Sequence, residues 1–286
     1  MKKILVLWVN WMLWNCIYKY LSSNVNFCVY WTWSKITCIW DNLIEFSIKD
    51  NYYQSDLDNI LASWKFSHVI NCIWINKIDN NNFDQINLAF IVNSLLPKTL
   101  NFLAIQYKFK LIHFSSDWVF DWAKWKYKDS DLPIPNSLYG VSKYLWEIDS
   151  KSCLIIRTSI IWIETNNSAK CILNWFLSLK KWETVSWYSN VYWNGITTLE
   201  LSKIIEKIIK SDKNMYWINN LAWEIVSKYE LLNIINKIFN KGVMVNESKD
   251  NKLNRTLITS DRIYKFASNI KWIEDQLIEL KTFYNI

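Results

Sequence analysis

Five short apolar runs recur through the first half of the chain, each followed by a helical pattern. That alternation restricts the fold more than any other feature of the sequence. The runs are Ile4–Leu7, Phe27–Tyr30, Val69–Ile73, Leu111–Ser115 and Leu154–Arg157. Val, Ile, Phe and Cys dominate them, the composition of strands buried on both faces. Between and after them, Met12–Leu21, Leu57–Ser63, Phe83–Leu95, Lys98–Tyr107 and Leu138–Ser150 have helical patterns. This rhythm predicts an α/β fold with a doubly wound parallel sheet. After Arg157 the pattern changes to helices near Ala169–Lys180, Thr198–Ile209, Lys228–Phe239 and Ile273–Thr282, with short strands between them. We expect a first domain over 1–157 and a smaller α+β C-terminal lobe over 158–286.

The 286 residues are 51% apolar with a net charge of +7, which excludes disorder. No run of about 18 uncharged apolar residues is present, so a membrane span is not expected. The basic start leads into a short apolar run that polar Asn10 and Asn15 keep from extending; this reads as a first strand, not a signal peptide. Positive charge is mostly lysine, with arginine only at 157, 255 and 262, and it does not cluster as a nucleic-acid reader requires. Six cysteines without CxxC spacing read as reduced thiols in a cytoplasmic protein.

Glycine and tryptophan usage is anomalous. The chain has 3 Gly and 20 Trp, where average usage gives about 20 glycines at roughly 7%. Turns and close backbone approaches need glycine. Tryptophans stand where such chemistry is expected: Trp8, Trp11 and Trp14 at the first strand–helix junction, then Trp122, Trp125, Trp182, Trp217 and Trp223 at turn-like boundaries. Lys, Asn, Ile and Tyr richness points to an AT-rich gene. We therefore expect many of these tryptophans to be glycines in the natural protein, written as Trp because a UGA codon reassigned to glycine was translated as tryptophan. Trp118, Trp175, Trp193 and Trp272 lie in apolar or aromatic contexts that suit a genuine indole.

The strongest chemical signal is Ser115-Ser116-Asp117 at the end of a buried strand, followed by Tyr139-Gly140-Val141-Ser142-Lys143. Tyr139 and Lys143 are four apart and share one helix face. A hydroxyl, a phenol and an ammonium suit carbonyl reduction: hydride reaches carbon while oxygen needs a proton. An adjacent ammonium is expected to lower the phenol's pKa from about 10, making Tyr139 the general acid. Lys143 would tune it and bind a cofactor ribose, and Ser116 would hydrogen-bond the carbonyl oxygen. With glycine at 8, 11 and 14, the loop through Asn10, Met12 and Leu13 would bring backbone amides to a pyrophosphate at a helix N-terminus. No acid follows the second strand to grip a ribose 2′-hydroxyl; Lys35 instead suits a 2′-phosphate, favouring NADP(H) over NAD(H). His68 and His113 lack ligand-spaced partners and read as structural. No nucleophile elbow and no recognisable metal set are present.

These motifs resemble the extended short-chain dehydrogenase/reductase superfamily and, within it, the dTDP-4-dehydrorhamnose reductase family. The resemblance rests on 4–21, on Val69-Ile70-Asn71-Cys72-Ile73-Trp74, on Asn93-Ser94-Leu95-Leu96-Pro97 and, most specifically, on His113 to Trp122 with Tyr139 to Glu147. Residues 156–162, 193–198 and 254–257 extend it. It implies a Rossmann domain over 1–157, a substrate-binding lobe beyond, and NADPH- or NADH-dependent reduction of a nucleotide-linked 4-keto-deoxysugar for surface polysaccharide synthesis. It carries over Ser116, Tyr139 and Lys143 as catalytic. It implies cofactor contacts at Trp8, Asn10, Trp11, Met12, Leu13, Trp14, Lys35, Asn71, Cys72, Ile73, Asn93, Tyr139 and Lys143. Family glycines align with Trp8, Trp11, Trp14, Trp122, Trp146 and Trp162. Ser116 stands where threonine is usual, and Ser186–Asn190 departs from the best-known members, which leaves the sugar open. An epimerase or dehydratase on the same scaffold, a non-catalytic NADP-binding regulatory subunit, and a tryptophan-rich sugar-binding module are the rivals; a homodimer is compatible with all of them.

Overall fold

The computed structural model describes residues 1–7, 13–33, 42–48, 53–147, 149–164, 171–211, 213 and 215–286, with Trp14 as backbone only. Two compact units emerge. The first comprises 1–121, 132–157 and 208–219; the second comprises 122–131, 158–207 and 220–286. Segments 122–131 and 208–219 thus cross the boundary expected at residue 157.

The first unit is organised on a sheet whose strands are β1 (Lys2–Leu7), β2 (Phe27–Trp33), β3 (Leu43–Glu45), β4 (His68–Asn71), β5 (Lys110–Ser116) and β6 (Cys153–Thr158). With Trp217–Asn220 they form seven strands in the order Trp217–Asn220, β6, β5, β4, β1, β2, β3. The registered pairs from β5 through to β3 are all parallel. This is the doubly wound sheet that the sequence predicts. Burial on both faces explains the apolar runs: Ile4 to Leu7 are fully buried, as are Val69, Ile70 and Leu111.

The helices are α1 (Leu13–Ser22), α2 (Tyr53–Trp64), α3 (Phe83–Phe90), α4 (Leu96–Tyr107) and α5 (Leu138–Tyr144). A π-helical turn, Ile91–Leu95, joins α3 to α4 without a break. The combined run Phe83–Tyr107 is, among the described residues, the one helix long and apolar enough to cross a membrane. It serves the core instead: Val92, Leu96, Leu100, Leu103 and Ala104 pack against Leu57, Leu61, Val69 and Leu111.

Two elements end earlier than expected. The strand expected to reach Ile73 stops at Asn71, because the Asn71 Oδ1 accepts the Ile73 amide at 3.0 Å and bends the chain. The helix expected to run to Ser150 stops at Tyr144, and Glu147 leaves it to meet Arg157.

The second unit carries α6 (Ile172–Ser178), α8 (Lys228–Phe239), α9 (Asp261–Ala267) and α10 (Ile273–Tyr284), with α7 (Thr198–Lys210) contributing its first ten residues. Short strands form two- and three-stranded sheets, including Val191–Trp193 between Val226–Ser227 and Leu253–Arg255. The α8 N-terminus has a full capping box: Ser227 Oγ accepts from the Glu230 amide, and the Glu230 carboxylate accepts from the Ser227 amide. The α9 helix was not expected from the sequence.

Candidate active site

At the carboxyl end of β5 the chain turns through a single 3-10 turn, Asp117–Val119. Ser116 caps it: its Oγ accepts from the Trp118 amide at 3.3 Å and donates to the Asp117 carboxylate at 3.0 Å. Ser116 and Asp117 are both buried. α5 starts at a second serine cap, where Ser137 Oγ accepts from the Gly140 amide at 3.1 Å. Gly140 lies against the 3-10 turn; a Cβ there would come within 2.2 Å of the Trp118 carbonyl oxygen. Only glycine permits that approach, and the approach brings Tyr139 to Ser116. The Ser116 side chain is near enough to act on the Tyr139 phenol, and the Trp118 and Tyr139 rings meet edge-to-face at 6.2 Å. Burial raises the Tyr139 pKa well above the usual phenol value; the Ser116 hydrogen bond opposes this and the Asp117 charge adds to it.

Lys143 follows one turn later, 1% exposed. Its ammonium donates to the Phe114 carbonyl at 2.5 Å, and Nζ lies 3.2 Å from His113 Nε2. Burial lowers its pKa to about 7, against the pull of Glu147. The expected arrangement, an ammonium lowering the phenol's pKa, is therefore not the one observed. Lys143 turns inward to β5, and desolvation dominates at Tyr139.

Residues missed from the sequence complete the frame. Glu147 and Arg157 form a bidentate pair, with Nε 2.9 Å and Nη2 2.6 Å from the carboxylate, both side chains essentially unexposed. The scarcity of arginine and the four-residue spacing from Lys143 were the available signals. Ser142 Oγ donates to the Tyr139 carbonyl at 2.8 Å and accepts from Asn93 Nδ2 at 2.9 Å; Ser94 Oγ donates to the Ser142 carbonyl at 2.6 Å. The π-helical turn thus locks α5 in place. π-turns recur at functional sites.

The expected cofactor residues divide. Trp8, Asn10, Trp11, Met12 and Lys35 lie outside the described residues. Leu13 opens α1 with its side chain fully buried, and Trp14 is the second residue of that helix. Ile73 is core, and the Cys72 thiol is buried with its pKa raised well above the usual value by desolvation. Asn93 spends its amide on Ile75 N, Ile75 O and Ser142 Oγ, so it holds the loop after β4. Asn71 differs: it is 1% exposed, and its Nδ2 has no acceptor among the described residues. The Ser115 hydroxyl is likewise buried, with no partner among the described residues. Unpaired buried polar groups at the carboxyl ends of parallel strands, beside the β1/β4 order reversal, fit a nucleotide cofactor.

In the second unit the family-like segments bind each other. Asn194 accepts from the Leu257 amide at 3.0 Å and donates to its carbonyl at 2.8 Å. Arg255 lies over the Trp122 ring at 4.1 Å.

Comparison with known proteins agrees with this geometry. The family model described as RmlD substrate binding domain matches residues 45–242. A dTDP-4-dehydrorhamnose reductase of Aggregatibacter actinomycetemcomitans is 30% identical over 131 residues, 44% of each chain, so the chain spans under half the length of that relative. The dTDP-4-dehydrorhamnose reductase of Bacillus anthracis, solved with NADP, superposes with a TM-score of 0.78 at 18% identity over 99% of both chains. A UDP-glucuronic acid 4-epimerase of Bacillus cereus, solved with NAD, reaches 0.73 at 15% identity, covering 98% of this chain and 96% of its own.

Proposed function

Because the chain belongs to the family described as the RmlD substrate binding domain, we propose that it is an NAD(P)H-dependent reductase of a nucleotide-linked 4-keto-deoxysugar, supplying precursors for surface polysaccharide. The observation that carries the reading is the approach of Tyr139 to Ser116 at the end of β5, with Lys143 one turn along the same helix. A nicotinamide cofactor, when bound, would supply the hydride for the carbonyl carbon. Tyr139 gives its phenolic proton to the nascent alkoxide, so the C=O bond becomes CH–OH. Its raised pKa keeps it protonated through neutral pH, the form a general acid needs. Ser116, whose hydroxyl donates to the Asp117 carboxylate here, would turn that proton to the substrate carbonyl oxygen. Lys143, held beside the Phe114 carbonyl, would be a donor for the ribose, and Asn71 Nδ2 would be a further donor to the cofactor.

Tyr139→Phe should lower turnover about 10²–10⁴-fold while NADPH affinity, read by fluorescence titration, stays within about twofold. Unchanged turnover would remove Tyr139 from the mechanism. Stoichiometric NADPH consumption separates net reduction from epimerisation, which returns the hydride. Lys35 carries the preference for NADP(H): Lys35→Ala should weaken NADPH more than NADH, and equal losses would reject that role.

The recoding of UGA as glycine belongs to the same reading. Trp122, Trp182 and Trp217 have φ of 59°, 70° and 68°, the left-handed region that glycine favours. Gly242, with φ 65°, shows the chain using glycine for the same conformation. The buried indole N–H groups of Trp146, Trp162 and Trp187 find no acceptor among the described residues, a misfit unusual for tryptophan. Mass spectrometry of the peptide over 3–19 from the native host decides it. Glycine at 8, 11 and 14 restores the phosphate loop; tryptophan at all three blocks it and brings the non-enzymatic readings forward.

A further inference from the structure

His113 is wholly buried in β5, and the mechanism above does not use it. We propose that His113 is a positioning residue for Lys143: a neutral imidazole that accepts the lysine ammonium through Nε2 and holds it beside the Phe114 carbonyl. The inference rests on the reductase reading for its consequence, though not for its geometry.

The geometry limits the protonation states. An ammonium has three donors and no acceptor. Nζ lies 3.2 Å from Nε2 and 2.5 Å from the Phe114 oxygen. Nε2 then accepts, and the ring proton sits on Nδ1, which has no acceptor among the described residues. Protonating the imidazole would set two buried cations against each other; desolvation and the Lys143 charge both hold the His113 pKa well below the usual histidine value. Among the described residues, the turn after α5 brings the Trp146 ring, edge-on to His113 at 4.2 Å, and Glu147, whose charge acts on Lys143. Glu147 is bidentate with Arg157 of β6, which divides its charge. Asn71 of β4 stands beside His113 in sheet register.

The chemistry that results differs from that of a carboxylate partner. A carboxylate would fix the ammonium permanently. A neutral imidazole and a carbonyl solvate it without neutralising it, so the proton remains exchangeable near neutral pH. Consistent with this, burial brings the Lys143 pKa to about 7. Lys143 thereby keeps a defined place and a charge that a bound cofactor or substrate anion can stabilise.

Two variants separate acceptor from packing. His113→Phe keeps the ring and removes the acceptor; His113→Gln keeps an acceptor and removes the ring. Lys143 is titrated by NMR of ¹³C-lysine-labelled protein, assigned with Lys143→Arg. We expect a parent pKa near 7, a fall of about one unit in His113→Phe, and the parent value in His113→Gln. The alkaline limb of the kcat profile should move with it. A purely structural histidine gives the reverse: Phe silent, Gln disruptive. That pattern overturns the proposal. Should either variant fail to fold, the parent alone decides. ¹⁵N shifts of a neutral Nδ1–H imidazole from pH 5 to 9 support the assignment; an imidazolium in that range, or a Lys143 pKa above about 9.5, overturns it. Absence of turnover in the parent would refute the reductase reading and leave the NMR result standing.

Discussion

Two regions of the second unit carry tryptophan under opposite conditions. Trp193 ends the strand Val191–Trp193, is 3% exposed, and donates its indole N–H to Ser159 Oγ at 2.7 Å. Trp182 sits in a turn at φ 70°, 69% exposed, its amide donating to the Gly242 carbonyl. The first indole has a slot, an acceptor and an extended backbone. The second has none of these, and its backbone suits glycine. The lesson is that one residue type meets opposite local conditions; under the recoding proposal, the local φ and the fate of the indole N–H would be what separates a genuine tryptophan from a glycine position.

The same contrast holds in the first unit. Glu147 and Arg157 are buried with their charges matched, whereas the Trp146 indole N–H nearby is buried without an acceptor among the described residues. Burial there is fitted for one pair and unfitted for one ring.

The sharpest break of this comparison is Trp193→Gly. Removing a buried indole and its hydrogen bond should cost about 3–5 kcal/mol, read as a lower urea midpoint. A negligible loss would mean that Trp193 is no better fitted to its site than Trp182. Trp182→Gly should act in the opposite direction. Relief of a left-handed non-glycine residue is worth roughly 1–2 kcal/mol, less whatever the Lys181 ammonium gains over the indole at 4.9 Å. Destabilisation by this change would count against recoding at that position. Both should be measured at one pH above 7, because a smaller effect enters below it. Burial, with Lys2 and Lys110 nearby, lowers the His68 pKa to about 4. The unfolded chain, at about 6.5, binds that proton first, so stability falls as pH drops from about 6.5 towards 4. His68→Gln should flatten that decline, and an unaltered slope would assign it to other groups.

Much of the fold was legible because burial on both faces leaves a strong local trace. The runs at 4–7, 27–30, 111–115 and 154–157 all lie within sheet strands, and Lys228–Phe239 is helical over its full expected length. The α9 helix left a weaker trace, since seven residues give few helical repeats. In the candidate site, the shared helix of Tyr139 and Lys143 and the place of Ser116 at a strand end were legible from type and spacing. Their partners were not: Lys143 meets His113 thirty residues away, and Asn93 reaches Ser142 across forty-nine.

By itself, then, the sequence determined the α/β alternation and the glycine deficit and put Ser116, Tyr139 and Lys143 forward as candidates, all of which depend on residue type and local period. Tertiary structure alone decided that Lys143 turns to His113 and away from the phenol, that Glu147 leaves its helix for Arg157, and that Trp122, Trp182 and Trp217 occupy glycine's backbone conformation. Those outcomes depend on which groups share a desolvated space, and the packing of separate elements sets that space.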